Sequence, residues 1–453
     1  MIAIVVSRAD GASEHVGERL LELEAWTDHE DEARPDADGG GAYYRTDGFE
    51  LRTFDDLHLS LADVDGAFSD PDLLVFVSRH AGDTGPLLSA HFTGNFGDAD
   101  YGGDPGAFAR ACPNAAARVL RALDAHAPEG YDVSMECTHH GPTALETPSM
   151  FVELGSDEAE WADPAGARAV ARAVLDLRGV APDRERQVVG FGGGHYAPRF
   201  SRVVRETAWA VGHVGSDWQL EAMGDPREHA DVIERAFAAS AADRALLDGE
   251  RPELVAVVEE LGYDVVSETW LREVDGRDLD LVDALESRLS TVEEGLRFGE
   301  RAADADDPAS LAAVDLPADL LAEAQGIDVE AAREAVRAHA VAFETVESGT
   351  RARGRAAFLD TSDRGALIDA LAAVLETKYD AVERTDDAVV ARMAAFDPEL
   401  ARERGVPEGP AFGRLAGGEA VEVDGERIDP EAVTRERSAR FPLSPETGGQ
   451  RER

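Results

Sequence analysis

Short apolar runs alternate with amphipathic stretches through the first part of the chain, and this alternation constrains the fold most. Apolar runs bounded by turn residues predict strands at residues 1–7, 73–78, 131–135, 149–155, 187–191 and 208–215. Apolar residues at helical spacing predict helices at 13–25, 114–127 and 164–177. Such alternation is typical of an α/β domain with a mostly parallel or mixed sheet.

Composition divides the chain further. Residues 28–48 are rich in Asp, Glu and Gly, which predicts a solvated loop or insertion. Eleven of the twelve histidines lie before residue 230, so we expect an α/β catalytic domain at 1–294. Helical periodicity in an Ala-, Glu-, Asp- and Arg-rich stretch predicts an acidic, mainly helical accessory region at 295–430. We expect residues 431–453 to form a mobile tail.

The net charge of −48, from 92 acidic and 44 basic residues, is spread over the whole chain. At molar salt the Debye length is only about 3 Å, so self-repulsion is screened. The acidic surface, with Lys378 as its single lysine, therefore indicates a halophilic protein. Binding to nucleic acid by counterion release would be weak at high salt. Any such contact would depend on shape, base stacking and local arginines.

The chain has neither a disulfide framework nor a membrane segment in its sequence. Cys112 and Cys137 are the only cysteines, and they form no Cys-x-x-Cys motif. No apolar run approaches the roughly 18 residues that a membrane span requires. The apolar N-terminus is too short for a signal peptide and lacks a basic start. We expect a cytoplasmic protein.

Polar, potentially catalytic side chains lie in or after successive predicted strands. A loop containing Glu136, His139 and His140 follows the strand at 131–135 and ends at Gly141-Pro142. In parallel α/β sheets ligands bind at the carboxyl ends of the strands. The complete set that we expect to share one crevice is His80, His91, Glu136, His139, His140, Glu153, His195 and His213.

These residue types suit activation of water. We assign catalytic roles to Glu136, His139, His140 and His195, and metal binding, shared with these histidines, to His80, His91, Glu153 and His213. A histidine-bound Zn²⁺ would lower the pKa of water to about 7, or else a histidine or glutamate acts as general base. The structural alternatives are packed or solvated histidines, and glutamates that form salt bridges to Arg79 or Arg199. Cys137 is a less favoured nucleophile than a small buried packing residue.

A triple-glycine turn follows the strand at 187–191. Its amides could stabilise an oxyanion or hold a phosphate or carboxylate, but no Gly-Lys-Ser/Thr follows as in a P-loop. Tyr196 is a candidate for base stacking, and a packed aromatic is the alternative. The predicted substrate-binding residues are Gly192, Gly193, Gly194, Tyr196, Arg199 and Thr143.

Several motifs appear in the order of a known family. They are Ser78-Arg79-His80, His91-Phe92-Thr93-Gly94-Asn95-Phe96-Gly97, Tyr101-Gly102-Gly103, Thr138-His139-His140-Gly141-Pro142-Thr143, Phe151-Val152-Glu153-Leu154-Gly155-Ser156, Gly192-Gly193-Gly194-His195-Tyr196-Ala197-Pro198-Arg199 and Val211-Gly212-His213. With these motifs the chain resembles the archaeal and plant type of D-aminoacyl-tRNA deacylase from residue 1 to about 290.

The resemblance implies hydrolysis of the ester between a D-amino acid and tRNA, which is chirality proofreading in translation. It also implies a phosphorylase/hydrolase-like α/β fold with a mixed sheet flanked by helices, two zinc ions, and a monomer. Two features depart from the family pattern: Ser216-Asp217-Trp218 replaces a basic residue, and the chain continues beyond 294. The alternatives are a metal-dependent amidohydrolase or nucleoside-processing enzyme, and a tRNA-binding module whose histidines are structural.

Overall fold

The structure is a computed structural model that describes residues 1–61 and 64–443. The chain divides into two compact units, Met1–Asp275 and Gly276–Arg453. This division falls about twenty residues before the predicted domain boundary at 294. Every predicted site residue lies in the first unit.

Two sheets organise the first unit. Its strands are β1 (Ile2–Ser7), β2 (Thr27–Asp31), β3 (Gly41–Thr46), β4 (Phe49–Phe54), β5 (Leu73–Arg79), β6 (Leu87–His91), β7 (Asp132–Met135), β8 (Ser149–Gly155), β9 (Gln187–Gly192), β10 (Ala210–Gly215), β11 (Arg244–Asp248) and β12 (Asp264–Val266). The larger sheet has the order β2-β3-β4-β1-β5-β8-β6-β7, and the smaller has the order β10-β9-β11-β12. The mixed α/β architecture predicted from the sequence is confirmed.

Helices accompany both sheets. They are α1 (Gly11–Leu23), α2 (Pro113–His126), α3 (Glu158–Trp161), α4 (Pro164–Leu175), α5 (Pro198–Glu206), α6 (Asp217–Met223), α7 (Ala230–Ser240), α8 (Pro252–Glu260) and α9 (Glu268–Glu273). Local chemistry fixes where they begin. The Asp10 carboxylate accepts hydrogen bonds from the Ala12 and Ser13 amides at the start of α1. Proline occupies the first turn of α2, α4 and α5, where its missing N–H costs nothing.

The central strands β1, β5 and β8 are buried along almost their whole length, as expected for parallel strands covered on both faces. The loop predicted at 28–48 is wrong, because β2 and β3 lie there, and β3 pairs antiparallel with β2 on one side and with β4 on the other. They form the exposed edge of the sheet, so they need few apolar residues and the sequence pattern does not mark them as strands.

The second unit also mixes helices and sheets. Its helices are α10 (Leu279–Arg288), α11 (Ala318–Ile327), α12 (Val329–His339), α13 (Thr361–Leu375), α14 (Pro398–Glu403) and α15 (Pro410–Ala416). Its strands are β13 (Leu296–Phe298), β14 (Ala312–Asp315), β15 (Ala342–Val346), β16 (Arg351–Phe358), β17 (Ala381–Arg384), β18 (Ala388–Phe396), β19 (Val421–Val423), β20 (Glu426–Ile428) and β21 (Thr434–Pro442). They form sheets of order β13-β15-β16-β14, β17-β18-β21 and β19-β20.

Two predictions for this part need correction. The expectation of a mainly helical region misses these strands, whose alanines and charges resemble the composition of the helices beside them. The expected mobile tail is wrong for β21, which pairs with β18 from Thr434 opposite Phe396 to Pro442 opposite Ala388. Residues 444–453 lie outside the described residues. In the described part of the chain, no helix is both long and apolar enough to cross a membrane.

Candidate active site

Five strands of the larger and smaller sheets bring histidines and glutamates into one cluster. His80 follows β5, His91 ends β6, and Glu136 follows β7. Glu153 lies within β8, and His195 follows β9 through the glycine turn. We call these five residues, with His139 and His140 of the loop after β7, the histidine–glutamate cluster. The predicted convergence of these seven side chains is observed.

The strands reach the cluster from opposite directions, which the sequence pattern did not predict. β5 and β8 are parallel, whereas β6 is antiparallel to β8 and β7 is parallel to β6. His91 is the last residue of β6 and lies opposite Phe151. The cluster therefore does not lie along one carboxyl edge of a parallel sheet. It forms where ends of oppositely directed strands meet.

Glu136 is the centre of the cluster and is only 1% exposed. Its Oε2 lies 2.7 Å from His195 Nε2 and 3.9 Å from His139 Nε2, and its Oε1 lies 3.1 Å from His80 Nδ1. Burial by itself would raise the pKa of the carboxyl, but the hydrogen bond with His195 and the nearby His80 ring hold this pKa well below its usual range. Glu136 is therefore a buried anion that three imidazoles surround.

Glu153 is a second buried anion. Ser78 Oγ donates a hydrogen bond to its Oε1 at 2.8 Å, and His91 Nε2 lies 3.4 Å from the same oxygen. His80 Nδ1 lies 3.4 Å from Oε2. Burial opposes ionisation, yet the charge of His91 and the close approach of the His80 and His91 rings lower the pKa of Glu153. Neither glutamate forms a salt bridge to Arg79 or Arg199, which was the structural alternative. Arg199 pairs with Asp248 and Glu268, and the Arg79 guanidinium lies over the Trp161 ring.

The carboxylates divide the imidazoles into two kinds. Burial lowers the pKa of His80, but Glu136 and Glu153 outweigh it and raise this pKa to about 9. His195 is likewise desolvated, but Cys137 and Glu136 raise its pKa to about 10. Burial and the neighbouring His91 lower the pKa of His139 to about 4, and burial holds that of His140 well below its usual range. At neutral pH the cluster thus contains both cationic and neutral imidazoles.

Backbone carbonyls fix the tautomers of three histidines. Nδ1 of His91, His139 and His140 lies 3.1, 2.8 and 2.7 Å from the carbonyl oxygens of Phe92, Cys137 and Gly141. A carbonyl only accepts, so each Nδ1 must carry the proton and each Nε2 keeps its lone pair when the ring is neutral. This second bond, from imidazole to backbone, is typical of histidines that bind a metal through the other nitrogen.

Three groups of side chains in or beside the cluster have ligand atoms within 4.8 Å of one another: His91 with His139 and His140, His80 with Glu136 and Glu153, and Cys137 with His139 and His195. The buried Nε2 of His91 makes no hydrogen bond with any described residue. Burial lowers the pKa of His91, but the nearby Glu153 carboxylate has the larger effect and raises it. The position of this nitrogen therefore favours a positive charge. A metal ion can replace that proton, so these residues fit a metal site.

The cluster opens into a cavity of about 610 Å³. Its described lining residues are Asp10, Leu57, His58, Leu59, Ser78, Arg79, His80, Ala81, Tyr101, His139, His140, Phe151, Glu153 and His195. His58 was not among the residues predicted from the sequence, and its ring packs edge-on against Phe76 and Phe151. Its position between two leucines in an irregular segment gave no periodic signal. Tyr101 was noted only as part of a motif.

The sequence comparisons with known proteins agree on one family. The sequence matches the family D-aminoacyl-tRNA deacylase over residues 67–266. The D-aminoacyl-tRNA deacylase of Halorubrum lacusprofundi is 58% identical, over 99% of this chain and 98% of its own. That of Natronomonas pharaonis is 56% identical, over 97% of this chain and 100% of its own. The chain belongs to the D-aminoacyl-tRNA deacylase family.

Membership of the D-aminoacyl-tRNA deacylase family confirms the resemblance seen in the sequence motifs. Among solved structures, a conserved protein of unknown function named AF0625 is similar, with a TM-score of 0.54 and 26% identity. The match covers 60% of this chain and 96% of that protein. The α/β architecture is therefore shared with a known structure over more than half of the chain.

One predicted metal ligand of this deacylase-family chain is used differently. His213 is fully buried within β10, with Nδ1 3.0 Å from Thr138 Oγ1 and Nε2 2.9 Å from the Ala109 carbonyl oxygen. Burial lowers its pKa to about 4. Because both ring nitrogens already have partners, His213 supports the loop after β7 and has no lone pair to offer an ion.

The glycine turn does not offer the row of free amides that was predicted. The Gly193 amide donates to Asp217 Oδ1 at 2.8 Å, and Gly192 has a φ of +99°, where a Cβ would lie 2.1 Å from the Asp248 carbonyl oxygen. Gly194 has open space around it. None of the three is among the described lining residues of the cavity. The turn carries His195 to the cluster, and an oxyanion role for its remaining amides stays a prediction.

The remaining predicted substrate-binding residues have mainly structural contacts. Thr143 is buried, and its Oγ1 accepts a hydrogen bond from the Asp104 amide at 3.0 Å. Arg199 forms the ion pairs described above, at the start of α5. Tyr196 is closest to the cluster, with its hydroxyl 3.3 Å from His80 Nε2. Of these, only Tyr196 touches the histidine–glutamate cluster.

Proposed function

We propose that the histidine–glutamate cluster is where this chain hydrolyses the ester that joins a D-amino acid to the terminal ribose of tRNA. The products are free tRNA and the D-amino acid. The single observation that carries the site assignment is the meeting of five imidazoles and two buried carboxylates at one cavity. Membership of the D-aminoacyl-tRNA deacylase family supplies the substrate class and the reaction.

We propose zinc as the metal, held through Nε2 of His91, His139 and His140. His80, Glu136 and Glu153 would hold a second ion. When bound, zinc supplies a Lewis acid that lowers the pKa of coordinated water to about 7. Nitrogen and carboxylate donors suit this ion, and the carbonyl-anchored tautomers support the choice of His91, His139 and His140.

The protein's own proton donor in this proposal is His195. Glu136 Oε2 holds a proton at His195 Nε2, and the raised pKa keeps the ring cationic at neutral pH. The ring lines the cavity and is about one-third exposed, so it can reach a substrate. We assign it the role of giving a proton to the leaving ribose oxygen. Chirality would follow from which α-substituent fits the cavity without collision.

The test is deacylation of D-tyrosyl-tRNA and L-tyrosyl-tRNA by the purified chain in about 3 M KCl, with zinc content measured by elemental analysis. We expect release from the D-ester only. His91→Asn and His139→Asn should lose zinc and turnover together. His126→Gln, on the outer end of α2, is the matched control and should change neither.

Three results would contradict these assignments. Full turnover in both ligand variants would place the site elsewhere. Bound zinc at wild-type levels in His91→Asn would remove this residue from the metal site. Phosphate-dependent cleavage of free nucleosides, with no release from D-tyrosyl-tRNA, would favour the nucleoside-processing alternative.

We further propose that the chain acts as a monomer in a salt-rich cytoplasm, with the catalytic residues in 1–294 and an accessory role for 295–430. Support comes from the acidic composition and from the placement of the whole cluster before residue 275. Sedimentation at molar KCl tests the monomer. A concentration-independent mass of twice 48.4 kDa would contradict it.

A further inference from the structure

Two residues at the cavity play no part in the hydrolysis proposed above. Tyr101 lines the cavity yet is 71% exposed, the most exposed large aromatic among the described residues. Arg79 lines the same cavity and carries the one permanent positive charge among its described lining residues. An exposed ring and a cation beside a reaction cavity suit contact with the part of the substrate that does not react.

The ring of Tyr101 is exposed although its backbone is firmly held. The Gly141 amide donates to the Tyr101 carbonyl at 3.2 Å, and Asn95 Nδ2 donates to the Gly102 carbonyl at 3.0 Å. Gly102 has a φ of +89°, and a Cβ there would lie 2.8 Å from the Leu59 carbonyl oxygen. The loop is therefore packed tightly against its neighbours. Because these contacts hold the loop backbone in place, the Tyr101 ring stays exposed.

The guanidinium of Arg79 is held by an aromatic ring and not by an acid. It lies 5.3 Å from the centre of the Trp161 ring. In the described part of the chain, no carboxylate lies within ion-pair distance of it, although acidic residues outnumber basic residues two to one. An arginine kept without a carboxylate in so acidic a protein is free to meet an anion of the substrate.

The charge of the molecule favours stacking as the main contact. A chain of net charge −48 does not attract a polyanion, and ion pairs with phosphates weaken as salt rises. Stacking of a base on an aromatic ring needs no counterion and tolerates any base. An exposed tyrosine at the reaction cavity fits this requirement better than further arginines would.

We propose that Tyr101 stacks on the terminal base of the tRNA and that Arg79 contacts the phosphate of the same terminal nucleotide. The proposal rests on the deacylase function, because the ester to be cleaved is attached to that nucleotide. Together the two residues form a subsite that positions the ribose ester over the histidine–glutamate cluster. They are positioning residues and take no part in the bond cleavage.

The experiment measures kcat and KM for D-tyrosyl-tRNA and D-alanyl-tRNA with the full chain in about 3 M KCl. For Tyr101→Ala we expect KM to rise about ten- to a hundredfold with both substrates, with kcat within about twofold. Tyr101→Phe should restore KM, since a phenyl ring stacks as well. Trp218→Ala removes the other large exposed aromatic, which does not line the cavity, and should leave KM unchanged.

Competition by small ligands separates the two contacts. In the wild type, adenosine 5′-monophosphate should inhibit more strongly than ribose 5-phosphate, and Tyr101→Ala should abolish that difference. In the wild type, adenosine 5′-monophosphate should also inhibit more strongly than adenosine. Arg79→Gln should abolish this second difference, and Arg79→Lys should keep part of it.

The outcomes are distinguishable from failure of the deacylase function itself. If the wild type releases no D-amino acid, the proposed function fails. If it does, and Tyr101→Ala behaves as wild type, the subsite is overturned. An effect of Tyr101→Ala on D-tyrosyl-tRNA but not D-alanyl-tRNA would assign the ring to the amino-acid side chain instead. An equal rise of KM in Trp218→Ala would also overturn the assignment.

Discussion

At the scale of single residues, Glu136 decides the charge of the cluster. Its carboxylate is buried and holds His195 in its cationic form. We predict that Glu136→Gln, which keeps the shape and removes the charge, lowers kcat about 10²- to 10⁴-fold, the usual contribution of a positioned acid or base. Single-turnover release of D-tyrosine measures this.

The matched control for that substitution is Glu146→Gln, an exposed glutamate on the segment that leads into β8. It should retain wild-type kcat and melting temperature. If Glu136→Gln also retains wild-type kcat, His195 does not depend on Glu136 for its proton, and the acid role assigned to that pair is wrong.

His213 gives a second prediction, about stability and pH. Its pKa of about 4 in the folded state lies below the ordinary 6.5, so the unfolded chain takes up this proton first as pH falls. The stabilisation is complete above about pH 6.5 and is lost between there and about pH 4. Between pH 7 and about pH 4, we expect the free energy of unfolding of the wild type to fall by about 3 kcal/mol more than that of His213→Gln. Denaturant unfolding at pH 7 and about pH 4 measures the difference, and parallel pH profiles would contradict it.

Residue type and position predicted most of the cluster but not the role of each member. Glu136 and Glu153 stood out because a carboxylate on an apolar strand needs a partner. His213 had the same sequence signal and proved structural, because its decisive partner, the Ala109 carbonyl, is 104 residues away in the chain. His58 gave no signal, since only the packing of β5 and β8 makes it a cavity residue.

At the scale of elements, the sequence predicted where buried strands lie better than how they pair. β1, β5, β8 and β9 are apolar enough to be recognised. Direction is not encoded in an apolar run, so the reversal of β6 and β7 was not predicted. Exposed strands such as β2 and β21 carry polar residues that suit loops equally well, and only their long-range partners make them strands.

β21 yields a prediction at this scale. Phe441 is 8% exposed, lies opposite Val389 of β18, and belongs to the apolar core shared with α11, α12 and α13. Phe441→Ala should destabilise the second unit by about 3 kcal/mol through lost burial and a cavity. Faster amide exchange in those three helices measures this. Arg437→Ala, on the same strand but exposed, should leave amide exchange unchanged. If exchange in Phe441→Ala is as slow as in the wild type, β21 is dispensable for the stability of the second unit.

At the scale of the whole molecule, protein and substrate are both polyanions. Most proteins that bind nucleic acid lose affinity steeply with salt, because each phosphate contact releases a counterion. Here the net charge is −48, and the subsite proposed above uses one arginine and one aromatic ring. Added salt therefore weakens one ion pair while it screens the repulsion between the two molecules.

We accordingly predict that 1/KM for D-tyrosyl-tRNA changes little between about 1 M and 3 M KCl. On a plot of log(1/KM) against log[KCl] the slope should lie between about −1 and a small positive value, because a single phosphate contact contributes about −1 at most. Arg79→Gln should make the slope more positive by roughly one, whereas Trp218→Ala should leave it unchanged. A wild-type slope of about −4 or steeper would mean that several cations of this acidic chain contact phosphates. The aromatic ring would then not be the main source of affinity.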